Sequence, residues 1–461
     1  MTTDQADALV IFGATGDLAR KKIFPALQAL VKRGTLTAPV IGVARPGFSL
    51  EKLRERAKES VTEHGGLDPE AFAKLAKLLR FVDGEYSQPE TFDRLKQALG
   101  QSKLPVHYLA IPPSMFGTVV SNLGRAGCAE HARVIVEKPF GRDLASSRQL
   151  NHALLQVFPE QRIYRIDHYL GKEPVQNLFY FRFSNTFIEP ILNRNYVQSV
   201  QITMAEKIGI EGRGRLYEET GAIRDVIQNH MLQLVASVAM DAPTGRDLEA
   251  LRDEKERLFR AIRPVSPQEV VRGQVRGYRD EEDVAKDSKV ETFAAMRLHI
   301  DNWRWASVPF YVRAGKSLPT SVSEVLVQLK APPYSVFGEN LCDPDSSTNY
   351  IRFRLGPDVA IAQGVRIKLP GEAMRGEEFE LMAAQQASDH MDAYARLLGD
   401  AIKGDATLFA REDSVEAQWR VVEPILGNAT PVHEYAPGTW GPAEAERLTH
   451  WANPSPTLSP K

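Results

Sequence analysis

A chain of 461 residues is longer than one hydrophobic core ordinarily serves, so two domains are the starting expectation. Hydrophobic residues at 43% and charged residues at 25% suit a soluble globular protein, and a net charge of −2 argues against a nucleic-acid or acidic-membrane partner. No apolar run approaches the roughly 18 residues a membrane span requires. Asp4 and Asp7 lead straight into a strand, with no signal-peptide pattern. Cys128 and Cys342 lie far apart without metal-ligand spacing, which points to a reduced, cytoplasmic compartment.

Ala8 to Phe12 is a short apolar run, followed by Gly13-Ala-Thr15-Gly16-Asp17-Leu18-Ala19 and a helical pattern through Leu30. Strand, glycine turn and helix open a dinucleotide-binding unit, because small residues let the backbone approach a pyrophosphate at a helix N-terminus. Gly13, Thr15, Gly16, Asp17 and Leu18 are the candidate cofactor-binding residues here, although the spacing is G-x-x-G-x-x-A. The next strand, Val40 to Ala44, ends at Arg45. An acid there would bind a ribose 2′-hydroxyl, whereas a cation pairs with a 2′-phosphate, so the position favours NADP over NAD. A plain surface arginine is the competing account.

Leu50 to Thr62 and Pro69 to Leu79 read as amphipathic helices, and Leu79 to Asp83 and Val106 to Ile111 as strands. Arg133 to Val136 precedes Glu137-Lys138-Pro139-Phe140-Gly141, where proline restrains Lys138 to extended geometry. Strands alternating with helices predict a doubly wound parallel sheet. Its ligand crevice would lie at the carboxyl ends of the strands, where Gly13, Arg45, Lys138 and Asp167 fall.

The stretch Arg165-Ile-Asp167-His168-Tyr169-Leu-Gly171-Lys172-Glu173 collects an acid, an imidazole, a phenol and an ammonium, with Gly171 read as a bend. Pro174 suits the first turn of a helix. Free N–H groups would then face His168 and Lys172 and favour an anion, most readily a phosphate. For that pair alone, a solvated turn is the alternative.

Past Glu173, Phe179 to Phe183 and Val200 to Met204 read as strands, before a loop rich in glycine and charge, Glu206 to Arg215. A helix is expected from Thr220 to about Met240, its buried stripe formed by Ile223, Ile227, Leu234 and Val238. His230 sits at the edge of that stripe, so an ordinary core histidine competes with a functional one. Asp225 lies five residues earlier, about 140° round an α-helix, which separates the two groups. Leu251 to Arg263 reads as a charged surface helix. Thr292 to His299, Trp305 to Arg313, Val322 to Lys330, Ile351 to Leu355 and Val359 to Leu369 read as strands of a largely antiparallel sheet. Ser388 to Lys403 and Arg411 to Leu426 are closing helices, and the proline-rich tail after Trp451 is expected to fray. The expected architecture is an α/β Rossmann-like dinucleotide-binding domain over residues 1–170. A larger α+β domain with a mainly antiparallel sheet follows over 171–461.

With these motifs in hand, the sequence resembles glucose-6-phosphate dehydrogenase. The resemblance rests on Gly13 to Ala19 with Arg20-Lys-Lys22 and Pro25-Ala-Leu27, on Glu137 to Gly141, and on Arg165 to Glu173. It continues through Asn193 to Tyr196, Glu211 to Gly214, Arg224 to His230, Arg272 to Gln274, Val308 to Leu318 and Gly438 to Pro442, nearly the whole chain. Ala314 stands where threonine is common in the family, away from the chemistry.

The resemblance implies oxidation of D-glucose 6-phosphate at C1 with hydride transfer to NADP⁺, the first step of the oxidative pentose phosphate pathway. It implies His230 as general base, with Asp167 orienting it. His168 and Lys172 would hold the phosphate with Tyr169 beside them, Glu206, Asp225 and Lys316 the sugar hydroxyls, and Arg45 and Lys138 would contact the cofactor. These residue types suit the chemistry: a hemiacetal needs a base that titrates near neutrality, and a phosphate needs cations and donors. No metal is expected, NAD use stays open, and a homodimer or homotetramer through the second domain's sheet is implied. Two rivals are a related oxidoreductase acting on free sugar and a dinucleotide-binding regulator that has lost catalysis.

Overall fold

The computed structural model describes residues 5–245, 248–334, 336–337, 349–384 and 391–455, divided into two units. The first comprises Met1–Glu173, Thr244–Arg252 and Asp389–Glu416, and the second Pro174–Pro243, Asp253–Ser388 and Ala417–Lys461. The short later segments of the first unit lie in what the sequence reading assigned to the second domain. Packing explains the difference. Helix α11 (Ala393–Lys403; helices α1–α10 are given below) buries Leu397, Leu398, Ala401 and Ile402 in the first unit's core. Ile402 O also accepts from the Ala6 N–H at 2.8 Å.

The first unit is built on strands β1 (Ala8–Phe12), β2 (Val40–Ala44), β3 (Leu79–Asp83), β4 (Pro105–Leu109), β5 (Arg133–Glu137) and β6 (Ile163–Ile166). They form one parallel sheet in the order β3-β2-β1-β4-β5-β6, a doubly wound arrangement whose strand order reverses between β1 and β4. Except for β3, every residue of these strands is buried, because crossover helices cover both faces. Those helices are α1 (Phe24–Lys32), α2 (Leu50–His64), α3 (Pro69–Leu78), α4 (Pro89–Leu99), α5 (Phe116–Arg125) and α6 (Leu144–Leu155). Ser49, Asp68 and Asp143 cap α2, α3 and α6 by accepting from first-turn N–H groups.

In the second unit, strands β7 (Val197–Ala205), β8 (Val270–Val275), β9 (Phe293–Leu298), β10 (Phe310–Gly315), β11 (Val322–Leu329), β12 (Tyr350–Gly356), β13 (Ala360–Lys368), β14 (Gly376–Ala384) and β15 (Val432–Tyr435) form one sheet. Its order is β14-β13-β12-β11-β7-β10-β9-β8-β15, and only the β7–β10 and β8–β15 pairs are parallel. The sequence reading missed β8, β14 and β15. Strand β14 reads Gly-Glu-Glu-Phe-Glu-Leu-Met-Ala-Ala, a composition of helix formers, and takes extended form through its pairing with β13. Trp305 to Pro309 is not strand: the Trp305 ring packs edge-on against Phe310 at 5.1 Å before β10 starts.

Three further expectations change. Phe179 to Phe183 lies within helix α7 (Glu173–Ser184) and is not a strand. Its aromatic run suggested extended structure, but Val175, Leu178 and Arg182 are buried at helical spacing. The expected helix from Thr220 begins earlier, as α8 (Gly214–Ala222), and breaks at Gly221, whose φ of 61° a side chain would strain. Ile223–Met231 then winds as a π-helix before α9 (Leu232–Ala239). Helix α10 (Leu248–Ala261) is not simply a surface helix, since Arg252, Glu254 and Lys255 are buried. The last helix, α12, spans Glu412–Val422. Cys342 and the first residues of the expected Ser388 helix lie outside the described residues, while Cys128 is a buried free thiol. Among the described residues no helix is long and apolar enough to cross a membrane.

Candidate active site

The glycine turn sits at the carboxyl end of β1. Gly13 has φ 79°, and a Cβ added there would lie 2.2 Å from the Ala110 carbonyl oxygen, so only bare backbone fits. Its N–H donates to Val43 O at 3.1 Å and to the Tyr86 hydroxyl at 2.8 Å, and that hydroxyl in turn donates to Val43 O at 3.1 Å. Gly16 N–H closes the turn onto Gly13 O at 2.9 Å. Thr15 and Leu18 are half-buried and Asp17 is exposed. One π-turn, Ala19–Ile23, closes with Phe24 N–H on Ala19 O before α1. This turn lies beside the strand-order reversal, so a dinucleotide pyrophosphate fits the residues present. Arg45 extends from the end of β2 with a 77% exposed side chain, 4.0 Å from Glu85.

At the end of β5, the Lys138–Pro139 peptide is cis and the Lys138 side chain is half-buried. Glu137, one residue earlier, is buried and accepts from the Tyr108 hydroxyl. Burial pushes its carboxyl up to about 7, against the pull of the Tyr108 bond and the Lys138 charge.

The Asp167 to Lys172 turn follows β6. Arg165, fully buried, anchors it from below by a two-pronged bond to Glu160 at 2.7 and 3.0 Å and by Asn151. Asp167 Oδ1 accepts from Tyr169 N–H at 3.0 Å, and successive bonds from Leu170, Gly171 and Lys172 wind the backbone toward α7. Gly171 is not chiefly a bend. A Cβ there would lie 2.8 Å from Ala393 O and 2.9 Å from Leu397, so its absence lets the turn lie against α11. His168 stacks on Tyr394 at 6.2 Å with the planes 12° apart, and Lys172 Nζ stands 3.7 Å from the Tyr169 ring centre. The turn therefore brings the two predicted phosphate residues, His168 and Lys172, together against Tyr169.

In the second unit, β7 and β10 run parallel with Ala205 opposite Gly315. Their next residues, Glu206 and Lys316, consequently meet as an ion pair at 2.6 Å. Tyr217 of α8 is buried close by, its phenol pushed well above the ordinary range by burial and then by Asp225 and Glu206. That phenol places three predicted sugar-binding residues in one neighbourhood. His230 is buried in the π segment, where Leu232 N–H donates to Ile227 O, a five-residue bond. Asp225 and His230 are also five residues apart. One π-turn spans that distance, so the α-helical separation expected from sequence does not apply.

Two family models together match nearly the whole chain: "Glucose-6-phosphate dehydrogenase, NAD binding domain" over residues 10–177 and "Glucose-6-phosphate dehydrogenase, C-terminal domain" over 179–454. The chain belongs to the glucose-6-phosphate dehydrogenase family. Glucose-6-phosphate 1-dehydrogenase 1 of Mycobacterium tuberculosis is 41% identical over 456 residues, covering 97% of each chain. The Rhizobium meliloti enzyme is 39% identical and covers 95% of each. A crystal structure of glucose-6-phosphate 1-dehydrogenase from Mycobacterium avium superposes with a TM-score of 0.91 at 42% identity, over 98% of this chain and 99% of that one. A family structure solved in complex with glucose 6-phosphate superposes with a TM-score of 0.89 at 34% identity, over 97% and 98%.

Sequence reasoning missed Tyr86, Tyr108, Glu137, Tyr217 and Tyr394. The four tyrosines are placed by sheet order or helix packing, and none of them stands in a local pattern that marks it. Glu137 alone had a signal, as the first residue of the Glu-Lys-Pro segment.

Proposed function

We propose that this chain is a glucose-6-phosphate 1-dehydrogenase that prefers NADP⁺. It oxidises D-glucose 6-phosphate at C1 to 6-phospho-D-glucono-1,5-lactone, the first step of the oxidative pentose phosphate pathway. The observation that carries the reading is the near full-length likeness to the solved glucose 6-phosphate complex. Bound at the Gly13 turn, the dinucleotide supplies the hydride acceptor. His230 takes the proton from the C1 hydroxyl, and Asp167 orients the imidazole and stabilises the imidazolium. His168 and Lys172 hold the phosphate, with Tyr169 supporting the ammonium. Glu206, Asp225 and Lys316 hold sugar hydroxyls, and Lys138 and Arg45 meet the cofactor. No role is assigned to a metal, since hydride transfer to a nicotinamide needs none.

Assembly as a homodimer or homotetramer through the second unit's sheet is supported by the exposed Ile367, Phe379 and Leu381 of β13 and β14. A cytoplasmic location belongs to the same reading. An Arabidopsis thaliana relative, 38% identical, carries "cytoplasmic" in its name. The test is steady-state turnover of glucose 6-phosphate and of free glucose, each with NADP⁺ and NAD⁺ in parallel. Strong preference for the phosphorylated sugar with NADP⁺ is expected. Equal rates on free glucose would refute the phosphate assignment.

A further inference from the structure

Glu137 closes β5 opposite Ile166 of β6, so Asp167 is the residue directly after its register partner. Neighbouring strands lie about 4.8 Å apart, so two buried carboxyls end adjacent strands at the edge where a doubly wound sheet receives its ligand. Ionisable groups act on Glu137 from several elements, and His168 stands next to Asp167 and stacks on Tyr394. Tyr108 of β4 donates to its Oε1, Lys138 follows it, Asp167 follows β6, and Tyr394 of α11 feels both acids. An acid needed only to tether Tyr108 could be a carboxamide. This one is buried between an ammonium and a second acid and stays able to ionise near neutral pH.

We propose that Glu137 is a positioning residue for the reaction, a carboxyl whose ionisation sets the charge around Lys138 and Asp167 and so tunes the base. Ionised, it offsets the Lys138 ammonium and favours proton uptake by the base that Asp167 orients. Protonated, it does neither. The proposal rests on the roles read above for Lys138, Asp167 and His230.

The test is the pH profile of kcat/KM for glucose 6-phosphate in the wild type, Glu137→Gln, Tyr108→Phe and His230→Asn. The wild type should show, besides the protonation of its base, an inflection near the value of about 7 that burial gives Glu137. Glu137→Gln should lose that inflection, match the wild type on the acid side and fall about tenfold below it on the alkaline side, the effect of one pKa unit on a neighbouring group. Tyr108→Phe should move the inflection to higher pH, because the lost bond held the carboxyl down. His230→Asn should keep it on a much lower rate, which separates failure of this proposal from failure of the base assignment. An unchanged inflection in Glu137→Gln, or a loss uniform across pH, overturns the proposal. Should Glu137→Gln fail to fold, an unmoved inflection in Tyr108→Phe overturns it equally.

Discussion

In the proposed mechanism His230 is the base, and it had the strongest ordinary alternative, a packed core histidine. Its burial satisfies both accounts, so a variant must separate them. His230→Asn is expected to cut kcat by about 10²–10⁴ while leaving KM for glucose 6-phosphate within a few fold. A folded variant with near-normal kcat would remove it from the base role. Lys172→Ala is expected to raise KM for glucose 6-phosphate strongly with KM for NADP⁺ unchanged, since phosphate contacts serve ground and transition states alike. If discrimination against free glucose survives in that variant, the phosphate lies elsewhere. Arg45→Ala should weaken NADP⁺ far more than NAD⁺, because only the former offers a 2′-phosphate to the guanidinium. Its exposed position makes a folding effect small, and equal losses for both cofactors would defeat the preference argument.

At the scale of elements, β4 and β5 each bury a titratable group, and the two oppose one another. His107 of β4 is fully buried, its Nε2 2.7 Å from Cys128 O, and burial lowers its pKa to about 4. Below its ordinary value the unfolded chain takes up a proton that the folded one refuses, so stability falls as pH drops from about 6.5 to 4. Glu137, raised from 4.5 to about 7, keeps its proton in the folded state where the unfolded chain has lost it. Its contribution to stability therefore declines as pH rises across that window. The two slopes offset each other in the wild type. Glu137→Gln is expected to be more stable than the wild type above neutrality, by roughly 1–3 kcal/mol. It should also lose stability more steeply on acidification, because the His107 term is then unopposed. Urea midpoints across pH check both, and parallel curves would show that Glu137 does not titrate in this range.

For the whole molecule, the second unit's sheet becomes more exposed toward β14, which carries Phe379 and Leu381 among acidic neighbours. If that edge is where copies meet, Leu381→Glu should shift sedimentation toward the monomer while leaving far-UV circular dichroism unchanged. An unaltered oligomer would move the interface elsewhere. The adjoining groove, about 630 Å³ and lined by Phe187, Tyr196, Ile351 and Val365, gives a second surface at which the same measurement can be made.

Local order was legible in the sequence wherever the signal was local. The parallel strands of the first unit other than β3 showed as short, largely apolar runs because both faces are covered. Its glycine turn and the Asp167 to Lys172 turn stood as continuous motifs. What tertiary structure decided is what depends on residues distant in the chain. Strand β14, written in helix-forming residues, became a strand because β13 supplies its hydrogen-bond partners. Asp225 and His230 share a π-turn that an α-helical period misplaces. Glu206 and Lys316 pair because β7 and β10 align Ala205 with Gly315, a register that no spacing between positions so far apart encodes. Tyr394 reaches His168 only because α11 packs into the first unit's core. A motif needs only its neighbours along the chain, whereas a site is assembled by sheet order and burial, and those are properties of the folded whole.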